Sequence, residues 1–517
     1  MPDQVSAHSY HPWVLWMVLL AIVLGGLVGF SFFGQMVGLF VPVFTLLLLL
    51  SLAFLAHRRE GPRWSGNIWL VFPLLFFASM AAIRAAGFNV FLNLGLVLFL
   101  LVWLAQTAVG PDMQSLNFYD YFWQSFMSCI EITFPQPAET LAEAVKSIRA
   151  NQPSLGKLLS LLRGLALALP VVIIFTMLLV SADPVFRGYV EDLLQFLHLD
   201  NLVELATRLV VSGLAFWFIL GGLAYALRSQ ESELQPKAEE VVSQGWLGII
   251  ETAIILGSVD LLFAAFVTVQ LRYFFGGNRN ITLEGFTYAE YTRRGFAELV
   301  FVAIFSLGLA LALQAWSQRR TPRARAGFEF LAAILVCFTG VILASAFQRL
   351  LLYEEAYGFT QLRTFVHVFM VWVGILLLVY LFTLHVNKPR LFVFALFLAV
   401  LGFGATLDIL NTDAFIVRQN FNRYLETGKL DAEYLATLSD DAVPGLLAAM
   451  YRIAPQERAV LGSALHYRFN TLRELQLTTN WAGWNWSRNR AYRLLSEQQE
   501  IFEPFEPRRY DWAFPIE

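Results

Sequence analysis

Asp260 is the residue whose type and setting most require a role. It lies about fourteen residues, or roughly 21 Å, into an apolar run, and a charge at the middle of a spanning helix costs about 2.5–3.5 kcal/mol on insertion scales. Such an acid either faces a cavity as a proton or cation site, or is a buried structural group hydrogen-bonded to other helices. Glu251 shares the run, but nine residues at 100° each put it on the opposite helix face, so the two acids are not a catalytic pair.

A denser set gathers at the ends of apolar runs on one side: Asp183 and Arg187, then Glu290, Arg293, Arg294 and Glu298, then Arg349, Glu354, Glu355 and Arg363. Glu290, Arg294 and Glu298 follow an i, i+4, i+8 spacing that a helix stacks as an ion-pair ladder. Five acids with five bases suit a structural mesh closing one mouth of a bundle; a substrate site would need a carboxylate left unpaired. Near the C-terminus, Trp481, Trp484 and Trp486 stand beside Arg488 and Arg490. They make either an aromatic cradle for a glycan or peptide, or an anchor at the membrane surface or closure of the tail's small core. The sequons at Asn280 and Asn485 carry no weight alone, because the pattern recurs by chance.

Familiar catalytic patterns are missing. The seven histidines show no His-Glu-x-x-His spacing, Cys129 and Cys337 belong to different segments, and there is neither a phosphate-binding Gly-rich loop nor a Gly-x-Ser-x-Gly elbow. The sequence thus implies no cofactor, no metal ligand set and no catalytic residue. A net charge of −3 offers no field for nucleic acid.

The elements that must position these residues follow from composition. Of 517 residues, 57% are hydrophobic and only 15% charged, too few polar groups to cover a water-facing surface. The apolar residues form about eleven runs long enough to cross a bilayer, near 13–33, 36–56, 68–87, 89–109, 163–183, 208–227, 246–271, 297–315, 328–350, 364–385 and 390–409. All are expected to be helices, since lipid-facing amides must be satisfied within their own segment. The expected fold is all-α: a polytopic transmembrane bundle with a small helical C-terminal domain.

Four segments result: four N-terminal spans (1–110), a cytoplasmic loop with an interfacial helix near 117–134 (111–162), a seven-span core (163–410), and a helical soluble domain (411–517) in which Pro444 and Pro455 are placed to open helices. Alternate loops carry fifteen and nine basic residues. This bias puts the N-terminus in the cytoplasm and, with an odd number of spans, the C-terminal domain outside. The expected partners are the lipid bilayer and a protein at the C-terminal domain; oligomeric state is left open.

Several stretches form a pattern: Ser181-Ala182-Asp183-Pro184-Val185-Phe186, Gln270-Leu271-Arg272-Tyr273-Phe274-Phe275-Gly276-Gly277, Tyr288-Ala289-Glu290-Tyr291-Thr292-Arg293-Arg294-Gly295-Phe296-Ala297-Glu298-Leu299, Glu355-Ala356-Tyr357-Gly358-Phe359-Thr360-Gln361-Leu362-Arg363, Asn422-Arg423-Tyr424-Leu425, and Leu438-Ser439-Asp440-Asp441-Ala442-Val443-Pro444. This pattern resembles the bacterial membrane-protein family of domain of unknown function 4173, from about residue 165 to 495. The resemblance implies a bacterial inner-membrane location and supplies no substrate or catalytic residue. Three functions stay open: a non-enzymatic sensor, scaffold or partner subunit; a carrier for a small solute, ion or lipid using Asp260; and an envelope-assembly enzyme with Asp183, Glu290 or Glu298 as acid or base.

Overall fold

A computed structural model describes residues 12–58, 66–107, 125–151, 175–196, 202–228, 246–276, 296–319 and 321–510, with single positions at 123, 164, 168, 171 and 172. The described residues form helices joined by turns and short loops, with no strand among them beyond an isolated bridge between Leu247 and Ser317. Nine helices among them are long and apolar enough to cross a membrane. They are α1 (Pro12–Leu27, continued by a π-turn to Phe32), α2 (Phe40–Arg58), α4 (Gly87–Thr107), α8 (Leu202–Arg228), α9 (Ile249–Gly276), α10 (Phe296–Trp316), α11 (Pro322–Tyr357), α12 (Gln361–His385) and α13 (Pro389–Leu410). Each coincides with one expected run. The run near 68–87 becomes the shorter α3 (Val71–Ile83), and that near 163–183 is described only in part, chiefly over 175–183. Large apolar side chains such as Phe72, Phe91, Leu261 and Phe305 are about three-quarters exposed, a pattern that only a lipid surround makes favourable.

Between helices in lipid there is little hydrophobic drive, so close packing and polar contacts hold them together. Gly25 and Gly29 let α1 run against α8: a Cβ on Gly25 would fall 2.7 Å from the Ser212 carbonyl oxygen and 2.8 Å from the Phe216 nitrogen. Arg208 of α8 then donates to the carbonyls of Gly29 and Phe30, at 3.1 and 3.2 Å, and pairs with Glu204 at 2.7 Å. The carbonyls freed by the π-turn are thereby satisfied. The segment expected to lie in the interface near 117–134 is described only in part, at Trp123 and as α5 (Ser125–Thr133), with α6 (Pro135–Asn151) following. α5 packs on α8, where Trp217 donates to the Thr133 carbonyl at 2.8 Å.

A second core joins α9 to α13, with α9 packed along α11. α13 bridges the two halves, since Phe397 and Leu401 sit among Phe77, Leu96 and Trp103 of α3 and α4. Thr321 caps α11 by accepting from the Ala324 amide, and α11 ends at Gly358 with φ of 86°. Asn411, with φ of 54°, breaks the helical path after α13 and turns the chain into a tail of five helices: α14 (Thr412–Thr427), α15 (Ala432–Ala436), α16 (Val443–Ala449), α17 (Pro455–Thr478) and α18 (Trp486–Glu497). Pro444 and Pro455 occupy the first turns of α16 and α17. The tail has its own core of Leu435, Leu446, Leu461, Leu465, Leu495 and Phe502, among others.

Candidate functional site at the seam of tail and bundle

Polar groups that would be costly to bury alone converge where the tail meets the bundle. Asp441, just before α16, has a fully buried side chain. Its Oδ2 accepts from the backbone amides of Ala85 and Ala86, at 2.7 and 3.0 Å, in the turn joining α3 to α4. Its Oδ1 accepts from the Ser487 hydroxyl and lies 4.0 Å from Arg84. Arg84 donates in turn through Nε to the Asp408 carbonyl oxygen at 2.8 Å. The Asp408 carboxylate, buried at the end of α13, accepts from Asn89 and Asn93 of α4 at 3.3 and 3.1 Å.

A neighbouring node centres on Asp413, which accepts from Gln361 Nε2 at 2.6 Å and from the Ser439 amide at 2.8 Å. The Gln361 amide donates to the Tyr434 hydroxyl at 2.8 Å. Arg423 donates to the carbonyls of Glu355 and Ala356, at 2.7 and 2.6 Å, closing the end of α11. Asn420 exchanges hydrogen bonds with both backbone groups of Phe359 at 2.9 and 2.8 Å. Arg468 gathers the Ala436, Leu438 and Ser439 carbonyls and lies 3.5 Å from Asp440. Two stretches singled out in the sequence, 355–363 and 438–444, therefore meet here, as fasteners of the tail.

A third contact reaches the connection between α1 and α2. The Leu39 amide donates to the Trp484 carbonyl at 2.7 Å. The Asn480 amide donates to Gln35 Oε1 at 3.1 Å and its side chain to the Ser31 carbonyl at 3.0 Å. Arg488 donates to the Val37 carbonyl. Gly38 permits this approach, since a Cβ there would lie 2.4 Å from the Trp484 oxygen. Beside it opens a groove of about 430 Å³, lined by Trp481 and Trp484 and by residues of α17 and the start of α18.

The sequence candidates divide. Trp481 and Trp484 share the groove, with Trp481 beside Phe40 of α2 at 6.2 Å. Trp486 faces elsewhere, under the Arg490 guanidinium at 5.2 Å. Asn485 is buried, caps α18 and donates to the Arg84 carbonyl at 3.0 Å, so it is unavailable as a glycan acceptor. Glu290, Arg293 and Arg294 lie outside the described residues. Asp183 caps α7 (Pro184–Phe196), accepting from Val185 and Phe186 amides, and Arg187 donates to the Val180 carbonyl. Glu298 is exposed in the first turn of α10.

Arg349 donates to Gln270 Oε1 at 3.0 Å, Arg363 stacks over Tyr353 at 4.1 Å, and Glu355 is exposed. Glu354 is fully buried with His367 Nδ1 3.2 Å from its carboxylate. Asp260 shares the buried face of α9 with Leu256, Val267 and Gln270, and its two carboxylate oxygens have no hydrogen-bond partner among the described residues. The second cavity, about 110 Å³ between the starts of α9 and α11, does not include it.

Electrostatics at the seam are set by burial. It pushes the Asp413 carboxyl upward, reinforced by nearby Asp441 and opposed by the bonds from Gln361 and Ser439. Asp440 is pushed up for the same reason, against Arg468 and Arg488. Burial also raises the Tyr434 phenol to about 12 and lowers the Arg488 guanidinium. An acid with a raised folded pKa holds a proton that the unfolded chain has already lost, so its contribution to stability falls as pH rises from the ordinary carboxyl value to the raised one. Asp413→Asn is therefore expected to reduce the pH dependence of tail melting above the ordinary carboxyl value of about 4. Parallel slopes for both proteins in thermal scans would contradict this.

Helices of this length, exposed apolar faces and a docked helical tail define an integral, multi-pass membrane protein. Within that class the chain belongs to the family described as Domain of unknown function (DUF4153), whose model matches residues 71–449. This corrects the resemblance to domain of unknown function 4173. That likeness rested on short charged and aromatic clusters at span ends, where Arg, Tyr and Trp accumulate in many unrelated bundles for interfacial reasons. The true match also begins earlier and takes in α3 and α4. Neither the curated proteins nor the solved structures compared with the chain give a match.

Proposed function

We propose that this is a non-enzymatic component of a bacterial inner membrane, a sensor or scaffold whose C-terminal tail is mounted on the extracytoplasmic face and presents a ligand-binding surface. The observation carrying this reading is the seam: one tail is fastened to the α1–α2, α3–α4 and α11–α12 connections and to the end of α13. An occupant of the groove touches Leu39 of the bundle and Trp484 of the tail at once, so binding there has a route to the spans. The excess of basic residues in the opposite set of loops, fifteen against nine, supports an outward tail. The carrier alternative would require a path beside Asp260, and both described cavities lie elsewhere.

Coupling of this kind predicts one cooperative thermal transition for tail and bundle, read by calorimetry alongside tryptophan emission. Two separate transitions would reduce the tail to a tethered appendage. Sidedness is checked with Leu477→Cys, in a chain whose Cys129 and Cys337 are replaced by Ala. A membrane-impermeant maleimide should label it in intact cells, and labelling only after permeabilisation would reverse the topology.

A further inference from the structure

We propose that the groove between α17, the Trp481–Trp484 turn and Leu39 is a binding site for an uncharged saccharide. The inference rests on the tail being a binding module and names its ligand class. The volume of about 430 Å³ falls within the roughly 300–1,000 Å³ typical of small-molecule sites. Two indoles, 46% and 38% exposed, offer flat apolar faces that the described residues leave partly uncovered. Stacking on the C–H face of a pyranose uses such surfaces well, because the ring edge is weakly positive and the indole face negative.

Gln476 and Asn489 line the same groove with side-chain amides that make no hydrogen bond among the described residues. An amide supplies both a donor and an acceptor, which is what two neighbouring hydroxyls require. The other amides of the groove are already spent: Asn480 on Ser31 and Ala482, Asn485 on Arg84 and Arg488.

Charge decides against an anionic ligand. Arg488 is the single charged residue in the lining. Its guanidinium already donates to the Val37 and Gly483 carbonyls, and Asp440 lies within its field. A phosphate is held best by charge-assisted bonds from free cationic groups, and the one guanidinium here is turned to carbonyls and to Asp440, whereas a neutral polyol needs only the amides. Trp481 against Phe40 at the start of α2 sets the groove at the level where a span meets its loop. The sugar is thus either part of a soluble glycan or the headgroup of a glycolipid, and the ring chemistry is common to both.

The test uses the full-length protein in nanodiscs of phosphatidylethanolamine and phosphatidylglycerol, purified without sugar-headed detergents. In one arm, saturation-transfer NMR is recorded with cellohexaose, maltohexaose and chitohexaose. In the other, melting is compared in discs with and without diglucosyldiacylglycerol. Transfer to ring C–H protons in the first arm identifies a soluble glycan, and a higher melting temperature in the second identifies a glycolipid headgroup. Either signal should fall at least about tenfold in Trp484→Ala and in the surface double variant Gln476→Ala/Asn489→Ala, which leaves the seam intact, and should persist in Trp486→Ala. Silence in both arms, or a signal that survives the double variant, overturns the proposal. If silence comes with a single cooperative transition, the mounted tail stands and only the ligand class fails; two transitions remove the parent reading as well.

Discussion

Asp441→Ala is expected to release the tail from the bundle. The variant strips acceptors from the Ala85 and Ala86 amides and from the Ser487 hydroxyl, and removes the acid facing Arg84. Breaking a buried, hydrogen-bonded charge site by deleting one partner costs about 3–5 kcal/mol, because the groups left behind remain desolvated and unpaired. Few docked interfaces have that margin. Tryptic cleavage within residues 412–510 should accelerate by orders of magnitude, while the bundle, with its separate cores, keeps its helicity. Asp441→Asn should fall between, since one amide oxygen can still serve the two backbone donors. A wild-type digestion pattern in Asp441→Ala would show that the seam is held elsewhere.

The second large effect is expected in the first span. Gly25→Leu should separate α1 from α8, because every atom that its Cβ would meet within 3.0 Å belongs to the α8 backbone and cannot rotate aside. Overpacking of this type costs about 1–3 kcal/mol or more. Its neighbour is the control: a Cβ on Gly26 meets nothing within 4 Å, so Gly26→Leu should melt like the parent or slightly higher, through better helix propensity. Equal melting temperatures for the two variants in one detergent would disprove the close-approach argument.

How far these features could be read beforehand depends on whether the signal was local. Spans were legible because each apolar run carries its own periodless signature, and 100° per residue alone puts Asp260 and Glu251 on opposite faces of α9, of which the structure buries the first and exposes the second. The starts of α16 and α17 were legible because proline fixes them. The seam was not, since Arg84 is more than 300 residues from Asp408 and Asp441 and each alone is an ordinary polar residue. One local cue was present and unused: Asn89 and Asn93, an i, i+4 pair of amides in an apolar run, which marks a helix face that must meet a polar partner. Of the charges expected to mesh at one side, Asp183, Arg187 and Arg363 make their contacts with helix caps, carbonyls and a ring. Sequence spacing could not separate these from a mutual mesh.

The contact between Asn480 and Gln35 spans 445 positions of chain. Residues 31–39 leave the ribosome hundreds of positions ahead of residues 480–488, so this join forms only after the intervening spans have been synthesised and a very long loop is closed. Loop-closure entropy makes it the slowest class of contact to form. The seam thus acts as a completion seal: a chain stalled or misinserted at any intermediate span exposes Gly38, the Ala85–Ala86 amides and the unfilled partner of Asp408, and is chemically distinguishable from a finished one.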